Sequence, residues 1–235
     1  MVYKLDPYIP SSGDFDSQNS LNDEDISNLK KWGMNFVRLG AMWEAVERTE
    51  GTYDDAYLDK VEELINKLGE AGIHTLIDGH QDVFARSMCG EGIPDFYAKQ
   101  IDTKYCISSI TDKLLGPVLR KFNICTDFES LGLDKDENGD PLLEECQQKQ
   151  VYSDYYLTRQ SIASFGAFFG NKNGLQDKLV NFWDHLAERF ANNPHVLGYD
   201  PMNEPSPADE NLLIPGRMDR KYLAPMYERV FEKYQ

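Results

Sequence analysis

Apolar residues recur at helical spacing through Leu21, Ile26, Leu29 and Trp32, behind Asp23, Glu24 and Asp25 and ahead of Gly33. Acids in the first turn and a glycine past the last one predict an amphipathic helix. The run Met34 to Gly40 changes character: it is short, carries Phe36 and Val37, and has a glycine on either side, which predicts a strand. Tyr57, Leu58, Val61, Leu64, Ile65 and Leu68 restore the helical period as far as Ala71, and Gly72 to His80 repeats the strand pattern. The opening Val2-Tyr3-Lys4-Leu5 predicts an earlier strand, so the order is β, α, β, α, β.

From residue 81 to about 152 the pattern breaks into short apolar patches, glycines and prolines, too long a stretch for a simple connection. It reads as an excursion with short helices of its own. Tyr155 to Phe169 and Leu175 to Ala191 then predict two helices, separated by Gly170 to Gly174. Asn192-Asn193-Pro194 stops the second, His195 to Asp200 predicts a fourth strand, and Arg217 to Tyr234 a last helix with Pro225 in or near its first turn. Strands alternating with helices imply parallel pairing through βαβ crossovers, hence a doubly wound sheet or a (β/α)8 barrel. No Gly-x-Gly-x-x-Gly follows any strand, whereas Arg38, Asp78, His80, Asp82, Asn203 and Glu204 gather at strand C-terminal ends. That arrangement favours the barrel, where sites lie at those ends. The fold class expected is α/β, a partial (β/α)8 TIM barrel: one truncated catalytic domain over residues 1–235, with about four of the eight βα units and a long excursion at 81–152 after strand three.

Composition narrows the partners. The 235 residues are 41% hydrophobic and 27% charged, with a net charge of −16 at pH 7 that repels nucleic-acid phosphates and anionic membrane surfaces, and no stretch reaches the length and apolarity of a transmembrane helix. No signal-peptide pattern is visible at the N-terminus. Cys89, Cys106, Cys125 and Cys146 all fall in the excursion without CxxC spacing. They read as disulfides of an oxidising compartment, with three connectivities open, or else as four reduced thiols of a cytosolic protein.

Asn203-Glu204-Pro205 directly after a strand is the sharpest chemical signal, a carboxylic acid at a strand exit with an amide before it and a stiffening proline after. Such a group suits general acid/base work; a glycosidase needs one carboxyl to protonate the leaving oxygen and a second opposite it. In His80-Gln81-Asp82 the alternation of an extended chain turns residues 80 and 82 to one side and Gln81 to the other. Arg38, within an otherwise apolar strand, requires a buried carboxylate partner. Trp43, beside Glu44, offers a stacking face for a sugar ring or is simply a core side chain, and the sequence does not separate the two. Asp134 to Glu145 matches the spacing of an EF-hand loop. Pro141 and the flanking cysteines make an acidic turn the preferred reading, and no metal or other cofactor is expected.

Phe36-Val37-Arg38-Leu39-Gly40-Ala41-Met42-Trp43-Glu44, Asp78-Gly79-His80-Gln81-Asp82-Val83-Phe84 and Asn192-Asn193-Pro194-His195-Val196-Leu197-Gly198-Tyr199 leading into Asn203-Glu204-Pro205 together resemble glycoside hydrolase family 5, in its endoglycoceramidase-like branch. Tyr8 to Ser12, Cys89 to Pro94 and Gly174 to Lys178 are similar to that branch too. The resemblance implies a retaining β-glycosidase acting, without cofactor, on a glycolipid or oligosaccharide, through the glycan–ceramide bond of glycosphingolipids. Glu204 matches the acid/base. Asn203, His80, Asp82 and Arg38 match substrate-binding positions, and Lys4 does so more loosely. The nucleophilic glutamate of the seventh strand has no counterpart, so the chain alone is expected to be inactive and to call for a C-terminal half-barrel or self-association. Ser206 stands where the branch often has tryptophan. Relatives of this kind imply a secreted, extracellular or endolysosomal setting. A family 5 enzyme of soluble glycans, or a non-catalytic remnant binding sugar or protein, are the alternatives.

Overall fold

The structure is a computed structural model that describes residues 21–148, 152–208 and 214–234. The strand expected at Val2 to Leu5, with Lys4, and the motif at Tyr8 to Ser12 lie outside the described residues. Asn22 sets the start of α1 (Asp23–Lys31): its side chain accepts from the Glu24 and Asp25 amides while the Asp25 carboxylate accepts from the Asn22 amide, a closed capping box. α1 leads into β1 (Phe36–Gly40), then a single turn α2 (Trp43–Val46), α3 (Asp55–Glu70) and β2 (His74–Asp78). The excursion carries α4 (Asp95–Ala98), α5 (Ser109–Leu119), α6 (Leu143–Gln148) and α7 (Tyr152–Tyr155); beyond it come α8 (Arg159–Phe169), α9 (Leu175–Phe190), β3 (Val196–Asp200) and α10 (Ala224–Phe231).

The described strands form one parallel sheet in the order β1-β2-β3, with Arg38 opposite Leu76 and Asp78 opposite both Gly40 and Asp200. Each crossover is covered by helices, as parallel pairing requires. Val37 packs against Ile26, Leu68 and Ile73, and Leu39 against the main core, so alternate residues of β1 face the helices while Phe36, Arg38 and Gly40 face the open side of the sheet. The main core is aromatic: Trp183 and Phe182 of α9 and Phe165 and Phe168 of α8 are fully buried, and the Phe84 ring meets Phe165 edge-on at 5.2 Å. This is a partial TIM barrel, as the sequence implied.

Three details differ from the periodicity reading. α8 starts at Arg159 rather than Tyr155, because the Thr158 hydroxyl caps it by accepting from the Ser161 amide. The last helix opens as a wide π turn over Asp219–Leu223, and Pro225 follows in the first turn of α10, where its missing N–H costs little. The Asp134 to Glu145 stretch is a turn in which the Asp136 carboxylate accepts from the Asn138 and Asp140 amides at 2.9 and 3.0 Å. The Lys99 ammonium sits 2.8 Å from Asp140, so a cation already holds that carboxylate. Of the three cysteine connectivities the fold uses Cys89–Cys146 and Cys106–Cys125.

Candidate active site

The functional side chains converge at the C-terminal ends of β1, β2 and β3. Arg38 extends from β1 with one guanidinium nitrogen 2.9 Å from Asp78 of β2 and within 2.9 Å of Asp200 of β3. The carboxylate partner that the sequence demanded is thus double, and Asp78 is the buried one. The same nitrogen donates to Asn203 Oδ1 at 2.8 Å, so one cation ties all three strands to the loop that carries Glu204.

His80 and Asp82 turn to the same side, as alternation required. The His80 ring is held between two carboxylates, Nδ1 at 2.8 Å from Asp78 and Nε2 at 3.1 Å from Asp82. Glu91 reaches within 3.9 Å of the same Nε2. Asp82 and Glu91 exchange both backbone hydrogen bonds, at 3.0 and 2.7 Å, which fixes their carboxylates side by side. Close passage here depends on Gly92 at φ +107: a Cβ on it would lie 2.3 Å from the His80 carbonyl oxygen. His80, Asp82 and Glu91 offer ligand atoms within 4.8 Å of one another, the grouping among the described residues with metal-like spacing. Hydrogen bonds to Asp78, Asn203 and Tyr156 account for where His80 and Asp82 stand.

Gln81 points the opposite way, into the protein, and is 2% exposed. Its Nε2 donates to the carbonyl oxygens of Asn203 at 2.6 Å and Glu204 at 3.2 Å, and its Oε1 accepts from the Phe84 amide at 3.0 Å. Both loops it joins are strained. Val83 and Phe84 have φ +54 and +81 and Glu204 has φ +37, conformations that cost side-chain-bearing residues of order 1–3 kcal/mol each and persist only when surroundings enforce them. Gln81 is that enforcement. Sequence reasoning missed it, although a polar residue on the inward side of a buried run was a signal.

Asn203, 7% exposed, donates through Nδ2 to the Gln81 carbonyl at 3.0 Å and to Asp82 Oδ1 at 3.1 Å. Tyr156, a second residue that the sequence did not reveal, donates its hydroxyl to Asp82 Oδ1 at 3.0 Å. Burial pushes the Tyr156 phenol far up, a Val83 backbone hydrogen bond offsets part of this, and the Asp82 and Glu204 charges add to the rise. Tyr156 therefore stays a donor. Glu204 projects from this braced platform and is exposed. The arrangement is a ring of donors and acceptors suited to hydroxyl-rich ligands, with one carboxyl free to exchange protons.

Trp43 is corrected. It is 3% exposed, its indole N–H donates to Glu47 at 2.6 Å, and its ring packs 5.5 Å from Tyr97 and 5.7 Å from Phe182. α2 turns it inward, so it presents no face to a sugar. Its neighbour Glu44 instead accepts from the Gly92 amide at 3.0 Å, clamping the loop over His80.

Comparison with known proteins follows the same lines. The family model described as Cellulase (glycosyl hydrolase family 5) matches residues 10–115 and 150–233. An endoglycoceramidase of Cyanea nozakii is 33% identical over 97% of this chain and 42% of its own length, and one of Hydra vulgaris is 30% identical over 97% and 41%. The structure of endo-glycoceramidase II from Rhodococcus sp. in its five-membered iminocyclitol complex aligns at 25% identity and TM-score 0.65, over 96% of this chain and 44% of that one. The chain spans about two fifths of the length of these curated relatives.

Proposed function

The chain belongs to glycosyl hydrolase family 5, and from that premise we propose that residues 1–235 are the acid/base-bearing part of one catalytic domain, a retaining β-glycosidase that cleaves the glycan–ceramide bond of glycosphingolipids. The observation that carries this reading is the bracing of Glu204 by Gln81 and Asn203 above the Arg38, Asp78 and Asp200 cluster. A retaining mechanism needs a second carboxylate about 5–5.5 Å away. We assign it to barrel strands beyond the 235 residues, in keeping with relatives more than twice as long.

In the first step that carboxylate attacks the anomeric carbon while the Glu204 carboxyl gives its proton to the departing ceramide oxygen. In the second, the Glu204 carboxylate takes a proton from water as the water oxygen displaces the glycosyl ester. The sugar is then free and Glu204 is protonated again. His80, Asp82 and Arg38 line the sugar side, and Asn203 gives one of its N–H bonds to the hydroxyl beside the anomeric carbon as substrate enters. Lys4, which lies outside the described residues, is assigned to substrate binding by its looser match to the family. Two disulfides suit an oxidising, secreted or endolysosomal setting. The described residues include no helix long and apolar enough to cross a membrane.

The test is hydrolysis of a glycosphingolipid and of cello-oligosaccharides by this chain, alone and combined with the remaining barrel half of a relative. Ceramide release by the combined barrel, lost in Glu204→Gln, supports the reading. Preference for the soluble glycan, or cleavage that survives the substitution, overturns it.

A further inference from the structure

Glu91 belongs to the excursion and takes no part in the cleavage steps above, yet its carboxylate is brought to the edge of the His80 ring that faces Asp82. His80 Nε2 stands 3.1 Å from Asp82 Oδ2 and 3.9 Å from Glu91 Oε1, and the three groups offer ligand atoms within 4.8 Å of one another. A four-coordinate Zn²⁺ with bonds of about 2.0–2.2 Å sets neighbouring ligand atoms about 3.3 Å apart. The two separations bracket that value, so small side-chain rotations bring one imidazole nitrogen and two carboxylate oxygens onto an ion.

Each ligand is aimed by a partner that a bound ion leaves in place. Asp78 Oδ2 holds His80 Nδ1 at 2.8 Å, while Asp78 Oδ1 accepts from Arg38 at 2.9 Å. A carboxylate on the far nitrogen is the usual outer partner of a metal-binding histidine, because it fixes the tautomer and raises the basicity of the ligating nitrogen. With Nδ1–H donating to Asp78, Nε2 is the nitrogen left to a metal. The Asn203 amide and the Tyr156 hydroxyl both donate to Asp82 Oδ1, at 3.1 and 3.0 Å, which turns Oδ2 toward His80. Glu91 is fixed through its backbone by the paired hydrogen bonds with Asp82, and Glu44 clamps the adjoining Gly92 amide.

The donor set selects the ion. One imidazole with two carboxylates suits Zn²⁺ and its first-row neighbours, whereas Mg²⁺ and Ca²⁺ take oxygen ligands. The His80, Asp82 and Glu91 side chains are 23%, 21% and 17% exposed, so an ion enters from the cleft and keeps water on its open side. That open side is the wall given above to the sugar. We propose that His80, Asp82 and Glu91 bind Zn²⁺ or a similar transition cation, and that the bound ion closes the sugar wall and inhibits cleavage. The binding stands on geometry alone; the inhibition rests on the glycosidase reading.

The 235-residue chain is dialysed to equilibrium against Zn²⁺, with Mg²⁺ as the contrast. One Zn²⁺ per chain is expected, with Mg²⁺ held on the order of a hundredfold more weakly. Glu91→Gln and Asp82→Asn keep side-chain size and should each weaken Zn²⁺ by roughly tenfold or more. A thermal transition recorded without metal separates a lost ligand from a lost fold. In the parent, one of the four histidine rings should shift its nitrogen resonances as Zn²⁺ is added, a readout that needs no variant. In the completed barrel, Zn²⁺ at saturation should raise KM for a glycosphingolipid with kcat nearly constant. No bound Zn²⁺, Mg²⁺ bound as tightly, no shifted histidine ring, or Zn²⁺ binding retained by both variants overturns the site. Cleavage untouched at saturating Zn²⁺ overturns the inhibition. A completed barrel that binds Zn²⁺ through these residues yet cleaves no glycosphingolipid would remove the glycosidase reading and leave the metal site standing.

Discussion

Replacing Gln81 with leucine keeps the side chain's approximate volume and deletes its polar end. Three hydrogen bonds go, and two of the groups they leave, the Phe84 amide and the Asn203 carbonyl, lie in buried surroundings. An unsatisfied buried group costs about 1–3 kcal/mol, so the pair costs about 2–6 kcal/mol. Freed of the brace, the backbone at Glu204 can relax its positive φ, which returns roughly 1–3 kcal/mol. The net expectation is a loss of about 1–3 kcal/mol, read from the urea midpoint of Gln81→Leu against the parent at unchanged m. The same relaxation moves Glu204. A displacement of about 1 Å at a catalytic group costs on the order of a hundredfold in rate, so kcat of the completed barrel should fall that far with KM nearly constant. A stability change below about 0.5 kcal/mol, in the range of ordinary surface substitutions, would refute the bracing argument. So would a loss carried by KM alone.

Four further outcomes follow from the structure. Trp43→Phe should cost about 1.5–3 kcal/mol in unfolding, the value of a hydrogen bond to a charged group, because buried Glu47 loses a donor; KM should stay put, whereas a sugar platform would raise it. Removing Cys89–Cys146, which spans 57 residues, should destabilise by about 4 kcal/mol, and removing Cys106–Cys125, which spans 19, by about 3 kcal/mol, a ranking that paired alanine variants and urea titration can check. The Arg159 guanidinium, then Gln160, hold the Asp127 carboxyl below its ordinary 3.8. Its contribution is therefore present above that value and fades as pH falls below it, so Asp127→Asn should flatten the acid limb of thermal stability and leave pH 7 to 9 unchanged in slope. Tyr53 and Tyr57 are raised to about 12, chiefly by burial. Stability from keeping them neutral is complete below pH 10 and lost toward 12, and an ultraviolet titration in which every phenol ionises near 10 would contradict their placement.

Much of the site was legible because strand alternation is rigid. Placing His80 and Asp82 on one side and Gln81 on the other follows from a period of two, and an arginine within an apolar strand must find a carboxylate. What the chain could not disclose depends on contacts distant in sequence. Asp200 becomes the second partner of Arg38 only through the register of β2 with β3, and Tyr156 reaches Asp82 only after the excursion has folded back. Trp43 misled for the same reason: its position after a strand is visible, but the direction of the turn that buries it against Phe182 is set by α2 packing on α3 and α9. Helix boundaries moved where one side chain took a cap, as Thr158 does for α8.

Glu204 is the centre of the account, and a leaving-group comparison tests it most directly. With this chain completed to a full barrel, Glu204→Gln should slow cleavage of a glycosphingolipid, whose alkoxide must be protonated as it leaves, by about 10²–10⁴-fold. A dinitrophenyl glycoside, whose leaving group needs no proton, should form its glycosyl-enzyme at close to the parent rate. Equal losses on both substrates, or none on the glycolipid, would contradict the assignment of Glu204 as the proton donor.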